Sequence, residues 1–184
     1  EQQIVGGTAK PNDPLIYQYI NRSKAKIQGL DVRLETLLNP YWTLTSGWVY
    51  SRGRTTSSDG QKQAIDTIQP MRASFGLSYQ RNTLKVATQW LHTWAKKSAN
   101  IGTVTDTQTR LQVPQFIAPS YSIVNLKAQW QAKKDLNISF GINNLFDKKY
   151  WRWSDVRGIE AASPVADAYT APGRNISLAL RYDL

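Results

Sequence analysis

Apolar and polar residues alternate one for one along most of this chain, and that period of two constrains the fold more than any local motif does. Met71, Ala73, Phe75, Leu77 and Tyr79 alternate with Arg72, Ser74, Gly76 and Ser78. Leu136, Ile138, Phe140 and Ile142 alternate with Asn137, Ser139, Gly141 and Asn143, and Ile176, Leu178, Leu180, Tyr182 and Leu184 alternate with Asn175, Ser177, Ala179, Arg181 and Asp183. Successive side chains of a strand point to opposite sides, so each segment makes one apolar and one polar face. The pattern predicts eight strands, at about 15–20, 25–35, 42–50, 71–79, 84–94, 124–132, 136–143 and 175–184. In the second strand the apolar phase shifts across Gly29, from Ala25 and Ile27 to Leu30, Val32 and Leu34, and a bulge is expected there.

The connections are ordered by length. Asn39-Pro40-Tyr41, Gln80-Arg81-Asn82-Thr83 and Lys133-Lys134-Asp135 read as tight hairpin turns. Between them lie links at about 51–70, 95–120 and 146–173, rich in Ser, Thr, Gly, Gln and Asp. All the tight turns therefore fall at one end and the long loops at the other, as in outer-membrane barrels with short periplasmic turns and longer outside loops.

Composition removes several functions. Although 41% of residues are hydrophobic, no apolar run exceeds three, far below the roughly 20 that a membrane-spanning helix needs. Cysteine is absent and His92 is the only histidine. That excludes disulfide frameworks, thiolate metal sites and a Ser/His/Asp machinery; no catalytic residue and no metal site is assigned. The net charge is +10, concentrated in residues 81–134, where eight Lys and Arg face a single acid, Asp106. Such a basic stretch suits an anionic partner, but without aromatic and basic residues interleaved on one strand face nucleic acid is not expected.

Alternation alone leaves open which way the apolar face points. The polar faces carry small neutral residues such as Asn137, Ser139 and Gly141, acids are rare in the strands, and aromatic residues collect at strand ends. Tyr41, Trp42, Tyr79, Tyr121 and Tyr182 lie toward the turns, and Trp48, Tyr50, Trp90 and Trp94 toward the loops, as in the girdles of a barrel crossing two membrane interfaces. The alternatives are a soluble barrel with its apolar face inside and a complete eight-stranded outer-membrane barrel with a structural or passive role.

Near the C-terminal end, Asn144-Leu145-Phe146-Asp147-Lys148-Lys149-Tyr150 resembles a segment of TonB-dependent outer-membrane receptors. Pro172-Gly173-Arg174 resembles the start of their closing strand, and Gly29-Leu30-Asp31-Val32-Arg33-Leu34-Glu35 an earlier one. The stretch Tyr150–Gly158 resembles the haem and haemoglobin branch of that family. The resemblance implies an all-β, antiparallel, transmembrane 22-stranded barrel with a plugged lumen. Residues 1–184 would be about its last eight strands, with the plug domain outside them. It also implies the bacterial outer membrane, driving by the TonB–ExbB–ExbD complex through the plug, and haem or a haem-carrying protein as the partner. Haem would be transported cargo, not a resident cofactor, and a siderophore receptor of the same family is the alternative. The chain departs from the family by ending in Leu184, where Phe or Trp is usual.

Candidate sites follow. Trp151, Arg152, Trp153, Asp155 and Arg157, on the last long loop, are expected to face outward as a protein-recognition surface, since exposed Trp and Arg supply contact area and forked hydrogen bonds. The competing reading has both tryptophans extending the aromatic belt and the charged residues paired within the loop. His92, Tyr150 and Tyr169 are the candidate haem ligands, although His92 shares a face with Trp90 and Trp94. Arg33, Arg72, Lys85, Lys127 and Arg181 are expected to line the lumen and steer an anionic ligand. Lys96, Lys97 and Arg110 could grip lipopolysaccharide phosphates at the outer surface.

Overall fold

The computed structural model describes residues 2–6, 16–19, 24–57 and 60–183. Twelve strands are present among them: β1 (Gln2–Gly6), β2 (Ile16–Tyr19), β3 (Lys24–Asn39), β4 (Trp42–Thr56), β5 (Lys62–Ala64), β6 (Arg72–Arg81), β7 (Leu84–Thr93), β8 (Thr103–Thr105), β9 (Gln112–Pro114), β10 (Tyr121–Lys133), β11 (Leu136–Asn143) and β12 (Asn175–Tyr182). One antiparallel sheet runs in the order β12-β11-β10-β7-β6-β4-β3, with β5 paired to the far end of β4. Apart from β5, and from β8 and β9, which pair with each other as a separate two-stranded sheet within the link from β7 to β10, each of these strands lies beside its neighbour in sequence, a meander. β3 and β12 are its two ends and do not pair with each other, so the sheet is an open wall and not a closed eight-stranded barrel.

Two sequence expectations need correcting. The segment at 16–19 is a strand, but it pairs with β1 in a separate two-stranded sheet, and the eighth member of the main sheet is β5, inside a segment expected to be loop. Nor is there a bulge at Gly29: the β3–β4 ladder is continuous from Lys24↔Thr56 to Leu37↔Thr43 and shifts only between Leu37 and Asn39. The apolar phase change has another cause. Ile27 pairs with Gly53 on the polar face, where a Cβ on Gly53 would lie 2.9 Å from Ile65, 3.2 Å from Ile27 and 3.2 Å from Ile68. The loop after β4 folds back over that face and makes it locally apolar.

The registers assign every strand residue to a side. Leu34, Ser46, Phe75, Trp90 and Val124 form one cross-strand row, and Leu126, Ile142 and Ile176 share another; Ala128, Phe140 and Leu178 follow, then Trp130, Ile138 and Leu180. This face is apolar and open, with Leu178 67% exposed. An apolar surface of this extent exceeds what a soluble monomer leaves bare, and hydrocarbon is the solvent it fits. Aromatic clusters bound it at both ends. At the turns, Trp42 lies 5.0 Å and Tyr41 6.4 Å from Tyr79 between ring centres, with the Arg81 guanidinium 5.4 Å from the Tyr41 ring. Toward the loops, Trp48 stacks on Trp94 at 5.8 Å, Trp94 meets His92 at 4.3 Å, and His92 stacks on Trp90 at 5.6 Å. From Trp42 to Tyr50 the rise is about 27 Å along the strand, or roughly 20 Å along a barrel axis at a tilt of ~40°.

The tight turns all sit at one edge. The amide of Gln80 donates to Tyr41 O, that of Gln131 to Thr83 O and that of Asp183 to Asp135 O, tying successive hairpins together there. Asn39 shapes the first turn by accepting from the amides of Tyr41 and Trp42 at 2.9 and 3.1 Å.

This assignment of faces predicts that Phe140→Arg, at the middle of the lipid-facing band, costs about 2–4 kcal/mol in the full-length protein refolded into vesicles. Gln129→Arg, on the opposite face, should cost well under half of that. Folded fraction, read from heat-modifiable gel mobility against urea concentration, is the measurement.

Candidate functional site

The three long links pack on each other at the edge opposite the turns, and the buried apolar cluster of the described residues is here, not under the sheet. Ala118, Trp153 and Val156 form it, with Ile101, Phe116, Trp151 and Ile159 around it. Trp153 is 3% exposed and Val156 0%. Each loop contributes hydrogen bonds to one hub. The Asp66 carboxylate accepts from the Gly102 amide at 2.9 Å and from Gln115 Nε2 at 2.8 Å, and Gln115 Oε1 accepts from the Gly158 amide at 2.8 Å. Trp153 Nε1 donates to Asp66 O at 2.6 Å. Lys96 Nζ donates to Asp66 O and Ile68 O at 3.1 and 3.0 Å and lies 4.4 Å from the centre of the Trp153 ring.

Burial pushes the Lys96 pKa below the ordinary lysine value, the Asp66 carboxylate opposes that shift, and Arg157 adds to it. A packed loop layer thus holds the Lys96 proton less tightly than an open one does. Its packing should strengthen as pH rises from the lowered value toward the ordinary one.

The segment from Asn144 onward joins this layer to the sheet. Asn144 is 2% exposed. Its backbone stands at φ 51°, a left-handed conformation that asparagine tolerates well. Its amide donates to Asn125 Oδ1 at 3.0 Å, its side chain accepts from the Lys148 amide at 2.9 Å, and Nδ2 donates to Lys148 O at 2.9 Å. Asp147 Oδ1 accepts from the Arg174 amide at 2.7 Å, so the exit of β11 and the entry of β12 are clipped together. A Cβ on Gly173 would stand 2.7 Å from that same oxygen and would displace the carboxylate that makes the clip. The two C-terminal segments that carry the family resemblance are therefore one structural unit.

The sequence-predicted residues separate into distinct places. Trp153, expected to be exposed, is the centre of the loop core. Trp151 is half-buried, donating Nε1 to Ala166 O at 2.8 Å against Phe116, so neither tryptophan belongs to the lipid belt. Arg152, Asp155 and Arg157 are not buried, and no ion pair involves them among the described residues. Lys96 is committed to the hub and is not free for phosphate. His92 lies on the lipid-facing side, its Nδ1 2.8 Å from Ser122 Oγ. Tyr150 is buried and packs on Tyr121 at 4.4 Å between rings, while Tyr169 is exposed in the turn Ala166–Tyr169. The three candidate haem ligands are not brought together. Arg33, Arg72, Lys85, Lys127 and Arg181 all fall on the polar face by register. Arg33 is paired with Asp31 at 3.1 Å and Arg181 with Asp183 at 2.8 Å. Exposed contacts of this kind are worth about 0–1 kcal/mol.

Where the loop layer overhangs the polar face it encloses a concavity of about 650 Å³. Its walls include Arg72, Arg152, Tyr121, Tyr150, Trp153 and Asn125, and no carboxylate lines it. Two guanidiniums beside three aromatic rings suit a planar or chelated anion. Sequence reasoning named the arginines and Tyr150, and placed Asn125 on the polar face of its strand without a role, but missed Asp66 and Gln115, which hold the loop wall and sit in no periodic pattern that would have marked them.

Asp66→Ala should strand the Gly102 amide and one N–H of the buried Gln115 side chain, whose Nε2 keeps its bond to Gly102 O at 3.0 Å, at about 1–3 kcal/mol each. In the full-length protein the exchange of backbone amides at 98–118 and 153–159 should accelerate at least tenfold. Unchanged exchange there would show that the hub does not hold the loops.

Residues 2–145 match the family described as TonB dependent receptor-like, beta-barrel. Over 95% of its length the chain is 24% identical to a probable hemoglobin and hemoglobin-haptoglobin-binding protein of Haemophilus influenzae, of which it covers 19%. It is 28% identical over 92% of its length to the ferrienterobactin receptor of Escherichia coli, covering 23% of it, and 27% identical over 98% to transferrin-binding protein A of Neisseria meningitidis serogroup B, covering 22%. Among solved structures, the pyoverdine receptor FpvA of Pseudomonas aeruginosa superposes with a TM-score of 0.66 at 22% identity over 100% of this chain and 25% of its own. The copper transporter OprC gives 0.67 at 22% identity over 86% and 23%. The chain spans about a fifth of the length of these curated relatives. The open wall of lipid-facing strands, the one-sided loops and the family match agree: this chain belongs to the TonB-dependent receptors, as a stretch of their β-barrel.

Proposed function

We propose that this chain is part of an outer-membrane receptor that captures haem, or a protein carrying it, outside the cell and passes the haem inward. Transport would be driven by TonB–ExbB–ExbD through a plug domain outside residues 1–184. The observation that carries this reading is the concavity of about 650 Å³ under the loop layer, which places Arg72 and Arg152 beside Tyr121, Tyr150 and Trp153. Guanidinium forks match the geometry of propionate carboxylates, and the half-buried Tyr121, held against the buried Tyr150, offers an aromatic contact for a flat macrocycle. The resemblance of Tyr150–Gly158 to the haem branch and the similarity to hemoglobin-binding proteins support the same choice. On this reading the strands contain the cargo and the loops recognise it.

A siderophore receptor is the second reading, favoured by the similarity to the ferrienterobactin receptor. An anionic iron chelate would use the same two arginines.

Spectral titration of the full-length receptor in detergent separates these readings. Haem should shift its Soret band on binding, and the double substitution Arg72→Gln with Arg152→Gln should weaken binding about tenfold, roughly 1.4 kcal/mol. Absence of any Soret change, with tight binding of a ferric catecholate chelate, would replace the haem reading with the siderophore one.

A further inference from the structure

Two tryptophans flank Arg152, and both are tied to distant parts of the chain. Trp151 Nε1 donates to Ala166 O at 2.8 Å and Trp153 Nε1 to Asp66 O at 2.6 Å. Each ring also carries an ammonium group: Lys149 Nζ lies 5.3 Å from the centre of Trp151, and Lys96 Nζ 4.4 Å from that of Trp153. The two arms are unequal. Lys149 is exposed and shared with Asp167 at 2.9 Å, a contact of the kind that contributes little in water. Lys96 is half-buried and donates to Asp66 O and Ile68 O at 3.1 and 3.0 Å, so the carbonyl that receives the Trp153 indole is also held by the ammonium group over its ring.

Between the two clamped rings the Arg152 guanidinium is left free, with no ion pair or hydrogen bond among the described residues. Its backbone is not free. It stands at φ −86° and ψ 138°, and its carbonyl accepts from the amides of Asp155 and Val156 at 3.0 and 3.3 Å. An extended residue sets the side chains before and after it on the opposite side. With both of those packed into the loop layer, Arg152 is directed out of it, into the concavity of about 650 Å³ that Arg72 also lines. Neither Lys96 nor Asp66 is in the wall of that concavity. Lys96 lines a separate cleft of about 360 Å³ instead.

We propose that Lys96 is a positioning residue for the cargo site: it fixes Trp153, and through it the backbone of Arg152, so that affinity for an anionic cargo depends on an ammonium group the cargo does not touch. The inference rests on the reading that this concavity takes the cargo, and it adds how one of the two arginines is held. A long side chain on a wandering backbone must be ordered when the ligand binds, and affinity falls accordingly; a backbone already held has met that loss on folding. Arg72 needs no such support, because it stands in the ladder of β6, opposite Val49 on one side and Thr93 on the other. The site thus has one arginine set by the sheet and one set by the loops, and the supporting contacts behind the second decide how well the pair is preorganised.

The test is a double-mutant cycle in the full-length receptor in detergent, with haem and a ferric tris-catecholate as separate probes. It compares wild type, Lys96→Met, Arg152→Gln and the two together, with Lys97→Met removing the same charge from the next residue as a control. With the probe that wild type binds, Lys96→Met should weaken binding about fivefold. In the Arg152→Gln background it should change binding by less than about twofold, the scatter expected of independent sites. Lys97→Met should bind as wild type does. An equal loss from Lys96→Met with and without Arg152 would overturn the positioning role in favour of a general loosening of the loops, and equal losses from Lys96→Met and Lys97→Met would overturn it in favour of diffuse electrostatics. Unchanged binding by Lys96→Met would overturn it outright. If Lys96→Met does not fold, Lys96→Gln, too short to reach both carbonyls, carries the same expectations. Wild type that binds neither probe would instead overturn the reading of the concavity as the cargo site, and this inference with it.

Discussion

In hydrocarbon every backbone amide and carbonyl must find its partner inside the protein, and a strand can do so only sideways. The rest of the structure depends on that requirement. It accounts for the ladders from β3 to β12 across the band between the two aromatic belts. A bulge in mid-wall leaves a residue unpaired, and in lipid that is costly. The side chains then follow: one face of the ladder rows from Leu34 to Val124 and from Leu126 to Ile176 must be apolar, and the other is free to be small and polar. Aromatic residues mark both limits of the band because their rings are apolar while their N–H and O–H groups need water or headgroups.

A wall of this kind has no core of its own, so order at the loop edge comes from the loops. Trp153 and Val156 supply the apolar centre, and Asp66, Lys96 and Gln115 make the connections between links that are far apart in sequence. Asn144 and Asp147 bind the last link to the ends of β11 and β12. The cationic concavity on the polar face thus has one wall of strand and one wall of packed loop, each held by a different set of interactions.

The strands are legible in the sequence because alternation is a direct image of a two-sided environment: Met71 to Tyr79 and Leu136 to Asn143 need no partner to be recognised. Ile27 misleads because its environment is made by Ile65 and Ile68, nearly forty residues away. The segment at 16–19 is legible as a strand but not in its pairing with Gln2–Gly6, since period says nothing about neighbours. The loop layer is the least legible. Trp151 and Trp153 look exposed because they stand in a polar, aperiodic stretch, and only the folded loops show that Trp153 is covered. Residue type is enough to find Arg72 and Tyr150; it is not enough for Asp66 and Gln115, because a buried hydrogen-bond hub has no sequence period.

The chain therefore combines a lipid-facing wall, a packed outer loop layer and an arginine-bearing concavity, the three parts on which the proposed capture of an anionic cargo rests. The central claim is the direction of the faces. This stretch has no cysteine, so single cysteines at successive positions of β10, from Leu126 to Gln131, can carry nitroxide labels in the full receptor reconstituted in vesicles. Oxygen accessibility should peak at Leu126, Ala128 and Trp130, and accessibility to a water-soluble relaxer should peak at Lys127, Gln129 and Gln131. A flat profile, or the inverse phase, would contradict the membrane-facing assignment on which the receptor reading rests.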